Sequence, residues 1–157
     1  MHTWFECKIR YEKVMENGMQ KKVTEPYLVD ALSFTEAEAR IIEEMTPFIS
    51  GEFTVSDIKR ANYSELFPSD EESADRWFKC KLIFITLDEK SGAEKKTSTQ
   101  VLVQAADLRD AVKKLDEGMK GTMADYQIGM VSETPLMDVY PYSAEPNDKP
   151  EFDPSKA

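Results

Sequence analysis

Trp4-Phe5-Glu6-Cys7-Lys8-Ile9 and Trp77-Phe78-Lys79-Cys80-Lys81-Leu82 are the two stretches whose reading decides the fold. The second repeats the first at an offset of 73, with tryptophan, aromatic, cysteine and lysine in the same order. Working outward, Leu28-Val29 and Ala31 match Leu102-Val103 and Ala105 at an offset of 74. The same offset pairs Phe34 with Leu108, Ala37 with Ala111, Ile41 with Leu115 and Met45 with Met119. It then returns to 73, pairing Phe53 with Tyr126, Val55 with Ile128, Ile58 with Val131, Leu66 with Val139 and Phe67-Pro68 with Tyr140-Pro141. The two shifts imply one residue gained in a hairpin loop and one lost after a helix, and loops are where insertions are tolerated. Self-similarity at a fixed period points to a duplicated unit.

One unit reads as ββαβ with a short optional last strand. Phe5, Cys7, Ile9 and Tyr11 alternate with Trp4, Glu6, Lys8 and Arg10, the period-two pattern of a strand. Asn17-Gly18 predicts a type I′ hairpin turn, Ser91-Gly92 its counterpart, and return strands run over about 21–30 and 95–104. Ser33 and Glu36 then form a capping box, with Asp107 and Asp110 in the matching places. Apolar stripes follow at helical spacing: Phe34, Ala37, Ile41 and Met45, then Leu108, Ala111, Val112, Leu115 and Met119. Pro47 stops the first helix, and Gly118 and Gly121 suit the end of the second. Third strands are expected over about 52–58 and 125–131, with a bulge where Ile58 and Val131 break the alternation. Short fourth strands are expected near Leu66-Phe67 and Val139-Tyr140.

The predicted fold class is therefore α+β: two tandem ββαβ(β) repeats with antiparallel sheet and two helices, related by a pseudo-twofold. The expected organisation is a first repeat over 1–67, an acidic linker over 68–75, a second repeat over 76–142 and a proline-rich acidic tail over 143–157. A unit this small has a modest core, so the repeats are expected to share one.

The 157 residues carry 20 basic and 30 acidic groups, a formal net charge of −10. Residues 1–67 hold 8 basic and 12 acidic groups, whereas 76–142 hold 10 of each. The linker contributes −4 and the tail −2, so the folded body repels anions less than the total suggests. Nonspecific duplex DNA binding is not expected. Apolar runs are strand-sized, which predicts no membrane span, and Met1 to Glu6 lacks the regions of a secretory signal.

Catalytic motifs are sparse. His2 is the only histidine, which removes the usual general base for a serine or cysteine nucleophile. Metal-protease, phosphate-loop and nucleophile-elbow patterns are missing. Cys7 and Cys80 fall on the apolar parity and read as small buried hydrophobes rather than a redox or metal pair. Glu36, Glu38, Glu43 and Glu44 read as a solvated helix face. No catalytic residue, metal or cofactor is predicted, and the expectation is a protein that is not an enzyme.

The candidate binding surface is the sheet face opposite the helices. With Phe5, Cys7 and Ile9 inward, Trp4, Lys8 and Arg10 point outward, as do Trp77, Lys79 and Lys81. Leu28 and Leu102 share that parity. Aromatics interleaved with cations on an open sheet have the physics of surfaces that stack single-stranded bases. The same tryptophans also suit packing of the two repeats against each other, or a dimer interface. The resulting expectation is a non-catalytic interaction or scaffold module with a protein partner or self-association. Its alternative is a single-stranded nucleic-acid accessory protein.

With Trp4-Phe5-Glu6-Cys7-Lys8, the run from Glu25 to Ala39 and the run from Lys113 to Met119 in view, the chain resembles the uncharacterised domain-of-unknown-function family 4494. The resemblance extends to about Tyr142. It implies a cytoplasmic bacterial protein from gut anaerobes, their phages or mobile elements, and carries over no activity, cofactor or catalytic residue.

Overall fold

A computed structural model describes residues 3–122 and 125–141. The elements run β1 (Trp4–Val14), β2 (Gln20–Asp30), α1 (Phe34–Met45), β3 (Phe53–Ala61), β4 (Glu65–Phe67), β5 (Arg76–Leu87), β6 (Glu94–Ala105), α2 (Leu108–Gly118), β7 (Asp125–Glu133) and β8 (Asp138–Tyr140). The class is α+β, with two helices and two four-stranded sheets. The predicted tail, 143–157, and His2 lie outside the described residues.

The chain forms two compact units, and their boundaries differ from those of the sequence repeats. Asn62–Leu136 make the second unit; residues up to Ala61, together with those from Met137, make the first. The first sheet has the order β3-β1-β2-β8 and the second β4-β6-β5-β7. Each therefore receives its short fourth strand from the other half of the sequence. β8 pairs with β2 through Tyr27, Leu28 and Val29, and β4 pairs with β6 through Val101, Leu102 and Val103. Both pairings are parallel, so the sheets are mixed rather than wholly antiparallel as the hairpins alone predict.

Connection length rules out a fourth strand taken from the same half. β3 is antiparallel to β1, and β1 to β2, so β3 and β2 run in one direction. A strand laid parallel beside β2 immediately after β3 would have to return along the whole strand first. Parallel crossovers take about a dozen residues or more, and only residues 62–64 separate β3 from β4. The strand that follows β3 therefore cannot take the place beside β2, and β4 pairs with β6 instead.

Within the first unit Phe5 lies opposite Val29 and Cys7 opposite Tyr27. Phe5, Cys7, Ile9, Val29 and Ala31 pack against Ala37, Ile41 and Met45 of α1. The second unit repeats the arrangement with Phe78, Cys80, Leu82, Val101, Val103 and Ala105 beneath Ala111, Leu115 and Met119. Burying each large apolar side chain contributes about 1.5–3 kcal/mol. Tyr140 packs on the first cluster and Phe67 on the second, so each exchanged strand adds an aromatic ring to the core it completes. The expected bulges are present: register slips between Lys8 and Ile9 against β3, and between Lys81 and Leu82 against β7, leaving Ser56 and Gly129 unpaired.

The hairpin turns correct the prediction. Met15 N–H donates to Met19 O and Gly18 N–H to Met15 O, which closes a three-residue loop, Glu16-Asn17-Gly18, with Gly18 at φ +83°. This is the turn-plus-left-handed-residue type, not a two-residue type I′ turn. The second loop, Glu89 to Gly92, is one residue longer, closed by Asp88 and Ala93. The second helix ends at Gly118, as expected, with Gly121 in the left-handed region at φ +88° just beyond it. Gly118 lies in the last turn of α2 against the Phe67 ring.

Both helices start on the predicted caps. Ser33 Oγ accepts from Glu36 N–H at 3.1 Å and Asp107 Oδ1 from Asp110 N–H at 2.8 Å. The reciprocal carboxylates reach one residue further back than a standard capping box, Glu36 to Leu32 N–H and Asp110 to Ala106 N–H. Ser33→Ala and Asp107→Ala are each expected to cost about 1 kcal/mol, read as a lower urea midpoint with unchanged slope.

Candidate functional site

The predicted aromatic and basic face is only partly open. Trp4 is 4% exposed and Trp77 5%, and Leu28 and Leu102 are fully buried. Neither indole presents a free ring to a base, which corrects the stacking role expected of Trp4 and Trp77. Strand parity separates two faces but does not say what covers each, and a large indole is buried more often than shown. Of the cations on this face, Arg10 is exposed, while Lys8, Lys79 and Lys81 are partly buried.

Register gives the cations different surroundings. Lys8 lies opposite Asp57 on β3 and Pro26 on β2, and its neighbour Glu6 lies opposite Lys59. Lys81 lies opposite Met130 on β7 and Gln100 on β6, and Lys79 opposite Ser132 and Leu102. Lys81 borders a polar depression of about 440 Å³ with Asn62, Ser98, Thr99 and Gln100. Arg10 borders a smaller one of about 290 Å³ with Lys22, Glu52 and Phe53.

The helices cover only half of each hairpin. An eleven-residue strand spans roughly 36 Å, a twelve-residue helix roughly 18 Å; β1 and α1 have these lengths. Full burial on the helix side ends at Ile9 and Leu82. β3 pairs with β1 only as far as Tyr11, so residues 12–22 continue as a two-stranded ribbon. At its tip Val14 is 65% exposed, Met15 39% and Met19 66%. Lys13, Lys21 and Lys22 flank them.

Three polar arrangements were not legible in the sequence. Tyr11 and Tyr27 hydroxyls both donate to Glu25 Oε1, at 2.9 and 3.3 Å, and Lys13 Nζ stands 3.5 Å from Oε2. Burial, with help from Glu25, pushes both phenols upward, so they stay protonated donors. Tyr27 also stacks on Tyr140, with ring centroids 6.2 Å apart. The second and third arrangements are clamps at one helix position. Arg40 donates to the carbonyls of Asp30 and Pro141, the latter at 3.1 Å just past β8. Lys114, 74 positions later, donates to Ser69 Oγ just past β4 and pairs with Glu71 and, at 3.0 Å, Asp110. The segment read as an exposed linker is thus docked on α2, with Ala74 buried. A basic residue recurring three positions after Ala37 and Ala111 is the signal that marks both clamps.

Cys7 and Cys80 are buried free thiols, one in each core. Burial raises Cys7 to about 12 and Cys80 to about 11, so neither is a nucleophile near neutral pH. Among the described residues no group of His, Cys, Asp and Glu is placed to hold a metal ion, and no helix is long and apolar enough to cross a membrane.

Residues 3–142, nearly the whole described chain, match one family model. The chain belongs to DUF4494, a domain of unknown function. The match begins at the first described residue, ahead of β1, and ends just past β8, so the DUF4494 domain includes both exchanged strands. A search of curated proteins finds no match.

Proposed function

We propose that this DUF4494 protein is a non-catalytic interaction module that recognises a second copy of itself through the tip of the β1–β2 ribbon. The observation that carries the reading is the exposure of Val14, Met15 and Met19 together at the end of a ribbon that no helix covers. A free two-stranded ribbon is marginal in water, and clustered apolar exposure marks an interaction surface. Methionine suits such a surface because its unbranched side chain adapts to a partner. Lys13, Lys21 and Lys22 alternate with Glu12 and Glu16 in a mixed-charge rim, which a second copy can complement. The non-catalytic part is supported by where perturbed groups lie. The cysteine thiols and the Tyr27 phenol are shifted chiefly by burial against the cores rather than by a partner in an open cleft. The reading places the protein in the cytoplasm, where buried thiols stay reduced.

Sedimentation velocity across a wide concentration range tests it. The wild-type mass is expected to rise with concentration, and a Val14→Ser, Met15→Gln, Met19→Gln variant to stay at one chain with an unchanged circular dichroism spectrum. A wild-type mass of one chain throughout overturns self-recognition.

A further inference from the structure

Lys81 is a half-buried residue whose ammonium makes no ion pair or hydrogen bond among the described residues. An ammonium with no carboxylate beside it is open to an external anion. Its depression has no carboxylate in the lining, although acidic residues outnumber basic ones three to two in the chain. Asn62, Ser98 and Gln100 line the same depression, and their side chains make no hydrogen bond among the described residues. Gln100 takes part through its carbonyl alone, which accepts from Ser64 N–H and Oγ at 2.8 and 3.2 Å, leaving the amide free. Thr99 is already committed, donating to Ser64 Oγ at 3.0 Å.

The first unit shows how a similar lysine is treated otherwise. Lys8 has Asp57 across one strand pair and Pro26 across the other. At the corresponding register positions Lys81 has Met130 and Gln100. Where Lys8 faces a carboxylate and a proline in register, Lys81 faces a thioether and an amide. Glu6, two residues before Lys8, corresponds to Lys79. The second sheet thus sets neutral polar groups, rather than a carboxylate, in register beside this lysine.

We propose that this depression binds an oxyanion: the phosphoryl group of inorganic phosphate or of a small organic phosphate. Lys81 supplies the charge; the Asn62 and Gln100 amides and the Ser98 hydroxyl supply neutral donors to the tetrahedral oxygens. The volume of about 440 Å³ accommodates a phosphate with a small organic group.

The test is a ¹H–¹⁵N titration of the full chain with inorganic phosphate and, separately, with a nucleoside monophosphate, both at constant ionic strength. Saturable shifts are expected at Lys81, Ser98, Thr99 and Gln100. Lys81→Met is expected to weaken binding by about tenfold or more, the loss of one charge-assisted contact. Met130→Asp, which restores the facing carboxylate of the first unit, is expected to do the same; Met130 is 41% exposed and its replacement leaves the core intact. Equal affinity for the two probes assigns the site to free phosphate, and tighter binding of the monophosphate assigns it to an organic phosphate. Shifts that grow without saturating, or that persist unchanged in Lys81→Met, overturn the proposal.

Discussion

A chain ending at Leu136 is expected to lose the first unit selectively while the second stays folded. The deleted β8 supplies three residues of pairing to β2 and the Met137 N–H bond to Pro26 O. It also supplies Val139, 9% exposed, and the Tyr140 ring that packs on the first core and stacks on Tyr27. Two side chains of this size account for roughly 3–6 kcal/mol of burial. That is comparable with the whole stability of a small unit. The Arg40 guanidinium would lose its Pro141 carbonyl as well. Amide hydrogen exchange distinguishes the outcomes. Protection is expected to fall at Phe5 to Ile9, Tyr27 to Val29 and α1, and to survive at Phe78 to Leu82 and α2. Uniform loss, or no loss, would show that the exchanged strand does not complete the first sheet alone.

The second large effect changes sign with its background. A Cβ built on Gly118 meets Phe67 Cδ1 and Cε1 at 2.8 Å, inside any real contact. The ring is held by the second core and by β4 pairing on β6, so it cannot retreat freely. Gly118→Ala is therefore expected to destabilise by about 1–3 kcal/mol through overpacking, although alanine is the better helix former by about 1 kcal/mol. With the ring removed in Phe67→Ala, only the propensity gain remains, and Gly118→Ala is expected to be neutral or stabilising. A double-mutant cycle in urea measures the coupling. Additive effects would mean that the helix does not close on the exchanged strand through this contact.

Much of the architecture was readable because it depends on local periodicity. Alternation at Phe5, Cys7 and Ile9 chose the inward face, and the residues predicted to cap both helices do so. Even the extra loop residue in the second hairpin followed from a shift in offset. The candidate site was less readable. Trp4 and Trp77 lie on the predicted parity, yet both are buried. Lys81 differs from Lys8 largely through the strands paired beside it: Met130 and Gln100 are remote in sequence and become neighbours by register.

The amino-acid order by itself determined the α+β class, the ββαβ order of each half, the helix caps and the apolar face of each half. Each of these is set within a span of a few residues, by spacing and turn chemistry. Tertiary structure decided the destination of β4 and β8, the clamps of Arg40 and Lys114 and the company kept by each outward lysine. These depend on pairing between distant segments: a connection too short to return along a strand bars that strand from one edge, and no local pattern records which other edge will receive it.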